Sequence, residues 1–421
     1  MALCTVLPSG LRVVTQPLQS TKTFTILILV KAGSRCETRD IRGIAHFLEH
    51  MFFKGAQKYP DTKAVSEAID SIGGEFNAFT GKEYVGYYVK VASEHQLIAL
   101  DVLSDMLLRA KHDSKEIDKE RGVILEEYNM YQDTPMYQVG WDFEKLLFGD
   151  QPLGWDQIGL KEVILRVTHD DFKNYQNKLY RPDNIVITVA GEIQEEKVVR
   201  EIEKLFAMQK ANTDFKWEKI NSNPSLDRVI LQNKKTEQGH VVVGFPGYPE
   251  QHPDHFAMKL LGIILGGNMS SRMFLKVREA KGLAYYIHTS TDDYTDTGVI
   301  STRAGVDLNR AEEAVKEIVA QYSEIREEII SEVELQKAKN YLTGKMVLRL
   351  EDSEEMAHLL GKYEILYGEL MTMERINQAI AKVTTADIQR VTKDLFQENK
   401  LHLAGIGPWE NTEKFASLLR F

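Results

Sequence analysis

Cysteine is almost missing from this sequence, which contains only Cys4 and Cys36 among its 421 residues. Two cysteines so far apart form neither the repeated spacing of a disulfide framework nor that of a cysteine zinc site. We therefore expect both to be buried thiols of a protein in a reducing compartment, and we predict a cytoplasmic location.

Long apolar runs and a surplus of basic residues are also missing. The longest apolar run near the start, FTILILV at 24–30, has the length of a strand and is too short to cross a bilayer. The first residues lack a basic segment followed by an apolar core, so we expect neither a signal peptide nor a membrane partner. The net charge of −10 argues against a nucleic-acid partner, because phosphate binding requires concentrated lysine and arginine.

The length of 421 residues exceeds what one hydrophobic core ordinarily supports, so at least two domains are expected. Segments rich in β-branched residues occupy 10–16 and 21–33, and we predict that they form two paired strands. Helical periodicity follows at 62–73 and ends at glycine. The segment EFNAFTGKEYVGYYVKVA at 75–92 then predicts two more strands around Gly81.

The two halves of the chain share an internal repeat. VTHDDFKNYQNKLYRPDNIVITVAGEI begins at Val167 and VTTADIQRVTKDLFQENKLHLAGIG begins at Val383, and each reads as a helix followed by an apolar strand. Two copies of one unit indicate an α+β fold of two homologous domains, each a mostly antiparallel sheet packed by helices. The predicted domains span 1–210 and 226–421, and a polar linker at 211–225 joins them.

A cluster of ionisable side chains lies in GIAHFLEHMF, which is otherwise apolar. Positions three and four apart on a helix share one face, so His46, Glu49 and His50 form a stripe with Phe53. Burial of these polar groups without partners would be costly, and two histidines at i and i+4 can bind one metal ion. Read alone, such a pair is also compatible with two hydrogen-bonded core histidines.

A pair of carboxylates occurs downstream in KERGVILEEYNM. Glu120 and Glu127 are separated by two helical turns and share a face, whereas Glu126 points elsewhere. Val123 and Ile124 lie close to that face, which makes it substantially apolar and leaves the carboxylates in need of a cation. The alternative is a solvated charged helix, but beside the histidine cluster we favour a metal site that takes its third ligand from another segment.

These segments resemble the inverzincin zinc peptidases. HFLEH at 46–50 is similar to their inverted His-x-x-Glu-His motif, and ERGVILEE at 120–127 is similar to the segment that carries their third ligand. GGEFNAFTGKEYVGYYV and LGGNMSSRMFLKVREAKGLAYYI resemble the small, two-domain bacterial-type members. Over essentially its whole length the chain is thus similar to the pitrilysin, insulin-degrading enzyme and mitochondrial processing peptidase family. The resemblance implies that its two domains form half of a clamshell chamber.

The resemblance implies a zinc-dependent endopeptidase that hydrolyses unfolded peptides or oligopeptides inside the chamber. His46, His50 and Glu127 match the positions that bind zinc, one ion per chain, and their side chains have suitable ligand chemistry. Glu49 matches the general base that takes a proton from the attacking water. Glu120 matches a second carboxylate that supports the site.

The same resemblance implies substrate-binding residues in both halves. Phe76, Asn77 and Ala78 match an exposed edge strand to which a peptide adds as an extra strand. Arg278 and Tyr285 match an arginine and a tyrosine that hold and polarise the substrate carbonyl. Without the resemblance, Arg278 would be interpreted as a surface charge and Tyr285 as a core aromatic residue.

The resemblance further implies an assembly of two chains. In small family members the arginine and tyrosine of one chain face the zinc site of another, and because this chain has both sets of residues we predict a homodimer. One alternative is a catalytically inactive structural or partner subunit, and another is a metal-binding module without hydrolysis. A second pair of histidines, His252 and His255 in HPDHF, has no evident third ligand, so no metal role is expected there.

Overall fold

The structure is a computed structural model that describes residues 2–221 and 227–421. The end of the predicted linker, 222–225, lies outside the described residues. The chain forms two compact units, each built from three segments. The first unit comprises Met1–Asn129, Asp156–Glu218 and Val347–Thr372, and the second comprises Met130–Trp155, Lys219–Met346 and Met373–Phe421.

Each unit contains one β-sheet. Within the described residues the strands are β1 Leu3–Val6, β2 Arg12–Pro17, β3 Thr23–Val30, β4 Glu75–Thr80, β5 Val85–Ala92, β6 Ile185–Gly191, β7 Val229–Asn233, β8 Gly239–Gly247, β9 Ala284–Asp293, β10 Gly298–Val306 and β11 His402–Gly407. The first sheet has the order β1-β2-β6-β3-β5-β4 and the second has the order β7-β11-β8-β10-β9. Only the β2–β6 and β7–β11 pairs are parallel among these strands, so both sheets are mostly antiparallel, as predicted.

Helices pack on the two sheets. Within the described residues they are α1 Ile44–Phe52, α2 Thr62–Asp70, α3 Gln96–Arg109, α4 Ser114–Gln132, α5 Pro135–Phe148, α6 Lys161–Arg166, α7 His169–Leu179, α8 Glu195–Leu205, α9 His255–Gly266, α10 Ala311–Glu327, α11 Glu332–Leu350, α12 Ser353–Tyr367, α13 Met373–Lys382, α14 Thr385–Leu395 and α15 Thr412–Ser417. None of the helices in the described part of the chain combines the length and apolarity that a membrane span requires.

The internal repeat is visible in matching local structure. Helix α7 begins with a capping box between Thr168 and Asp171, and α14 begins with the same arrangement between Thr384 and Asp387. The strands that follow, β6 and β11, occupy corresponding interior positions of their sheets. This agreement confirms the predicted α+β fold with two similar units.

Each unit also takes a helix from the other half of the sequence. In the first unit α12 packs on β3 and β6, where Leu360 joins the core around Leu27 and Leu29. In the second unit α5 packs on β8 and β11, and its Phe143 lies in the core. The predicted boundaries follow the sequence repeat and stay a prediction, whereas the compact units are defined by these packed helices.

Two local predictions are wrong. The strands β2 and β3 do not pair with each other, because the fully buried strand β6 lies between them and forms hydrogen bonds to both. Cys36 is buried as expected, but Cys4 is exposed because it lies on the terminal strand β1, all of whose residues are exposed.

Candidate metal site

Helix α1 is held at its first turn by the buried side chain of Glu37. It begins after Gly43, whose φ of 92° is in the left-handed region, and a Cβ there would come within 2.5 Å of the Ile158 carbonyl oxygen. The backbone N–H groups of Gly43 and Ala45 donate to the Glu37 side chain at 2.8 and 2.9 Å. Glu37 therefore satisfies helix donors that would otherwise lack partners, and it fixes the start of the helix.

The predicted stripe on α1 is present. Phe47, Leu48, Met51 and Phe52 are fully buried and anchor the helix in the core of the first unit. The opposite face is half-buried and consists of His46, Glu49, His50 and Phe53. The apolar face thus holds the helix in place while the ionisable face stays accessible.

Helix α4 places Glu127 beside both histidines. Glu127 Oε1 lies 3.6 Å from His46 Nε2, and its Oε2 lies 3.5 Å from His50 Nε2. One ligand atom from each of these three residues lies within 4.8 Å of the others. The sequence separates Glu127 from the histidines by α2, α3 and two strands, so only the fold brings them together.

These separations fit a shared metal ion better than direct hydrogen bonds. A charge-assisted N–H···O hydrogen bond spans about 2.7–2.9 Å, whereas two donors on a tetrahedral zinc ion with bonds of about 2.0–2.1 Å lie about 3.3 Å apart. The observed 3.5 and 3.6 Å are close to the second value. Two imidazoles and one carboxylate are also a ligand set that zinc accepts.

Glu120 orients His50 from the opposite side of the ring. His50 Nδ1 lies 2.8 Å from Glu120 Oε1, and Lys54 Nζ lies 2.6 Å from Glu120 Oε2. Burial raises the pKa of Glu120, but the hydrogen bonds from His50 and Lys54 outweigh it and leave this pKa below the usual value. The ionised Glu120 can therefore accept a hydrogen bond from His50 Nδ1–H, an arrangement that would leave His50 Nε2 available to bind a metal ion.

Glu49 is positioned by a strand residue. The Thr80 hydroxyl on β4 donates a hydrogen bond to Glu49 Oε2. Helix α1 packs against β4, so Glu49, which shares a helix face with the histidine pair, reaches a residue of this strand. A half-buried carboxylate with one oxygen held by a hydroxyl is well suited to accept a proton in a fixed direction.

Strand β4 is the edge of the first sheet, and it carries the predicted substrate residues. The Phe76 ring lies 5.7 Å from the ring of Phe53, at the end of α1. Asn77 is exposed, and its side-chain oxygen accepts a hydrogen bond from the Ala78 N–H at 2.9 Å. The position of these residues beside α1 agrees with the predicted binding strand, whose role stays a prediction.

Arg278 and Tyr285 belong to the second unit. Arg278 lies in a π-helical segment, Phe274–Ala280, and its guanidinium carbon lies 4.7 Å from the centre of the Phe274 ring. Tyr285 is 69% exposed on the edge strand β9, at a shift in the pairing with β10. The interpretation of Tyr285 as a core aromatic residue is therefore wrong, and the substrate role of both residues stays a prediction.

Two residues that contact the site were not identified from the sequence, and the burial of one helix face was overestimated. Lys54 continues the i, i+4 spacing of the histidines, and this spacing could have revealed it. Thr80 has no local signal, because its contact with Glu49 depends on how β4 packs on α1. Val123 is 51% exposed, so of the two apolar residues expected beside the carboxylates only Ile124 is buried.

Two segments of the chain match known protein families. Residues 12–149 match insulinase (peptidase family M16), and residues 166–342 match the peptidase M16 inactive domain. An uncharacterized zinc protease of Streptomyces coelicolor is 35% identical over 97% of this chain and 90% of its own. The zinc protease YmxG of Bacillus subtilis is 34% identical over 96% and 97%. A solved protease structure from Helicobacter pylori is 24% identical with a TM-score of 0.90, covering 97% of this chain and 99% of the other, and it supports the fold.

Proposed function

The chain belongs to the insulinase family of peptidases, family M16, and from this premise we propose that it is a zinc-dependent endopeptidase of unfolded peptides or oligopeptides. The observation that carries the proposal is the meeting of His46, His50 and Glu127 beside a positioned Glu49. The scarcity of cysteine supports a cytoplasmic location for this activity.

The residues of the first unit can perform amide hydrolysis. Zinc, when bound, acts as a Lewis acid that polarises the scissile carbonyl and makes water a better nucleophile near neutral pH. Glu49 accepts a proton from the attacking water and delivers it to the leaving amide nitrogen as the C–N bond breaks. Thr80 fixes the carboxylate of Glu49, and Glu120 with Lys54 fixes the His50 ring.

Substrate binding is proposed to occur on the free edge of β4. An extended peptide can pair there through main-chain hydrogen bonds, which gives affinity with little dependence on side chains. The Ala78 N–H, which donates to Asn77, is one candidate main-chain donor if the amide side chain moves away. A folded domain does not offer an extended strand, so we propose that unfolded segments are preferred.

The decisive experiment compares neighbouring carboxylates. Glu127→Gln should hold about one zinc ion per chain fewer than the wild type, because one of the three ligands of this site is weakened. Glu126→Gln, which changes the exposed residue beside it, is the matched control and should retain the zinc. Glu49→Gln should retain zinc but cleave peptides orders of magnitude more slowly, since an amide cannot accept the proton.

Three outcomes would each contradict part of the proposal. Equal zinc content in Glu127→Gln and Glu126→Gln would remove Glu127 from the ligand set. Retained zinc with no peptide cleavage by the wild-type chain would favour the inactive partner subunit instead. Cleavage by Glu49→Gln at the wild-type rate would remove Glu49 from the reaction.

We further propose that Arg278 and Tyr285 act on the substrate bound by a second copy of the chain. The proposal rests on the presence of both sets of residues in one sequence and on the accessible Tyr285 side chain. Two hydrogen-bond donors directed at the carbonyl oxygen would stabilise the negative charge that develops during attack. A symmetric homodimer would then have two composite sites.

Mixing of two inactive variants tests this assembly. One chain carries Glu49→Gln, and the other carries Arg278→Ala with Tyr285→Phe. If sites form between chains, a mixed dimer has one intact site, and random mixing restores about a quarter of wild-type activity. Absence of rescue, with mixed dimers shown to be present, would mean that each chain completes its own site.

A further inference from the structure

A second group of metal-binding side chains lies in the other unit, away from the His-x-x-Glu-His motif in sequence. Within the part of the chain that the structure describes, one ligand atom from each of Glu250, His255 and Asp293 lies within 4.8 Å of the others. Glu250 and His255 are buried, with 7% and 2% exposure, and the Asp293 side chain is 7% exposed. None of these residues has a role in the proposed peptidase chemistry.

The backbone holds these three residues in place. His255 is the first residue of α9, and Asp293 is the last residue of β9, on which α9 packs. Glu250 lies in the connection between β8 and α9, and its backbone N–H donates to the carbonyl oxygen of Tyr294 at 3.1 Å. The three side chains therefore converge from three segments whose backbones are already fixed.

The contact between His255 and Asp293 is not a hydrogen bond. His255 Nδ1 lies 3.5 Å from Asp293 Oδ1, and within the described residues this buried oxygen accepts no hydrogen bond. The other oxygen, Oδ2, pairs with Lys259 at 2.5 Å. For comparison, the direct hydrogen bond between His50 and Glu120 measures 2.8 Å.

The same distance is characteristic of two ligands of one metal ion. In the first unit the histidine nitrogens lie 3.5 and 3.6 Å from the oxygens of Glu127. The 3.5 Å between His255 and Asp293 matches this spacing and approaches the value of about 3.3 Å expected for two donors on tetrahedral zinc. An imidazole with two carboxylates is a ligand set for zinc or manganese.

We propose that Glu250, His255 and Asp293 form a second site, which binds a divalent transition-metal ion with a structural role. Lys259 pairs with Asp293 Oδ2, and the other oxygen of this carboxylate, Oδ1, lies towards His255. The 3.5 Å spacing between His255 Nδ1 and Asp293 Oδ1 favours a shared metal ion over a direct hydrogen bond. Such an ion would connect the end of β9, the start of α9 and the preceding loop.

The sequence did not reveal this site because its ligands come from separate segments. HPDHF places two histidines close together, but the structure uses only the second of them here. The ring of His252 stacks on Tyr248 with centroids 3.9 Å apart, and its Nδ1 accepts the Asp254 N–H at 3.1 Å. His252 is therefore a matched control for His255.

Metal analysis of the full chain tests the proposal. After chelation and reloading with Zn²⁺ or Mn²⁺ alone, the wild type should hold about two ions per chain, and His50→Ala should hold about one. His255→Asn should also hold about one ion, the double variant should hold none, and His252→Ala should match the wild type. The first-site and second-site losses are measured in different variants, so failure of one assignment does not affect the other.

Thermal unfolding gives a second readout in case His255→Asn folds poorly. In folded His50→Ala, a chelator should lower the unfolding temperature, and added Zn²⁺ or Mn²⁺ should restore it, because a bound ion stabilises the native state. Wild-type protein with about one ion, together with metal-free His50→Ala that does not respond to either ion, would overturn the proposal.

Discussion

Removal of the Thr80 hydroxyl tests whether the strand positions the general base. Thr80→Val keeps the shape of the side chain and the β-branched character suited to β4, but it removes the hydroxyl that donates to Glu49. The carboxylate then loses a fixed partner without losing its charge. We expect Glu49 to sample several orientations, of which only some can accept the proton of the attacking water.

The magnitude follows from the strength of the lost interaction. A hydrogen bond to a charged group contributes about 1.5–3 kcal/mol, and about 1.4 kcal/mol of transition-state energy corresponds to a tenfold change in rate. If the whole interaction acts in the transition state, kcat/KM should fall about 10- to 150-fold. The loss should appear mainly in kcat, because the substitution changes a side chain that contacts the base and leaves the backbone of β4, which is proposed to pair with the peptide, in place.

The assay combines peptide cleavage with zinc analysis. Thr80→Val should keep its zinc, and Thr80→Ser, which retains a hydroxyl, should recover most of the wild-type kcat. A kcat/KM within twofold of wild type in Thr80→Val would refute the positioning role. An equal loss in Thr80→Ser and Thr80→Val would also refute it and would assign the effect to packing of the methyl group.

Three other predictions follow from the first unit. Burial lowers the pKa of His112 to about 4, so protonation of His112 favours the unfolded state, and the protein loses stability as the pH falls below about 6.5. Between pH 7 and 5, the difference in unfolding free energy between wild type and His112→Asn should therefore change by about 2 kcal/mol. Parallel denaturant titrations that show no such change would contradict this prediction. Glu120→Gln should weaken zinc affinity about 10- to 100-fold by releasing His50, as measured by competition with a chelator, whereas an equal effect of Glu126→Gln would contradict this. N-methylation of a peptide substrate should block cleavage at alternate backbone positions, as pairing with β4 requires, and uniform tolerance in a cleavage scan would exclude strand addition.

Much of the candidate site could be predicted from local spacing. The i, i+3, i+4 positions of His46, Glu49 and His50 define one helix face, and the seven-residue spacing of Glu120 and Glu127 defines another. Local signals likewise identified the strands β4 and β5 and the two capped helices of the repeat. These features depend on residues that are close together in the sequence, so the periodicity of the residues predicts the features directly.

Other features depend on contacts between distant segments. Strand β6 lies between β2 and β3, and helices α5 and α12 pack in the unit of the other sequence half. Both arrangements result from the packing of apolar faces. Periodicity identifies each apolar face, but it does not show which other face packs against it. The Thr80–Glu49 hydrogen bond has the same origin.

Residue spacing along the chain shows which side chains share a face, because the geometry of a helix or strand sets that relation over a few residues. Which of these faces meet depends on the packing of the whole fold. It placed Glu127 against the histidines of α1 and Asp293 against His255. Ligand distances of a few ångströms between such segments arise from the packing of whole sheets and helices, since no local pattern encodes the position of a distant strand end.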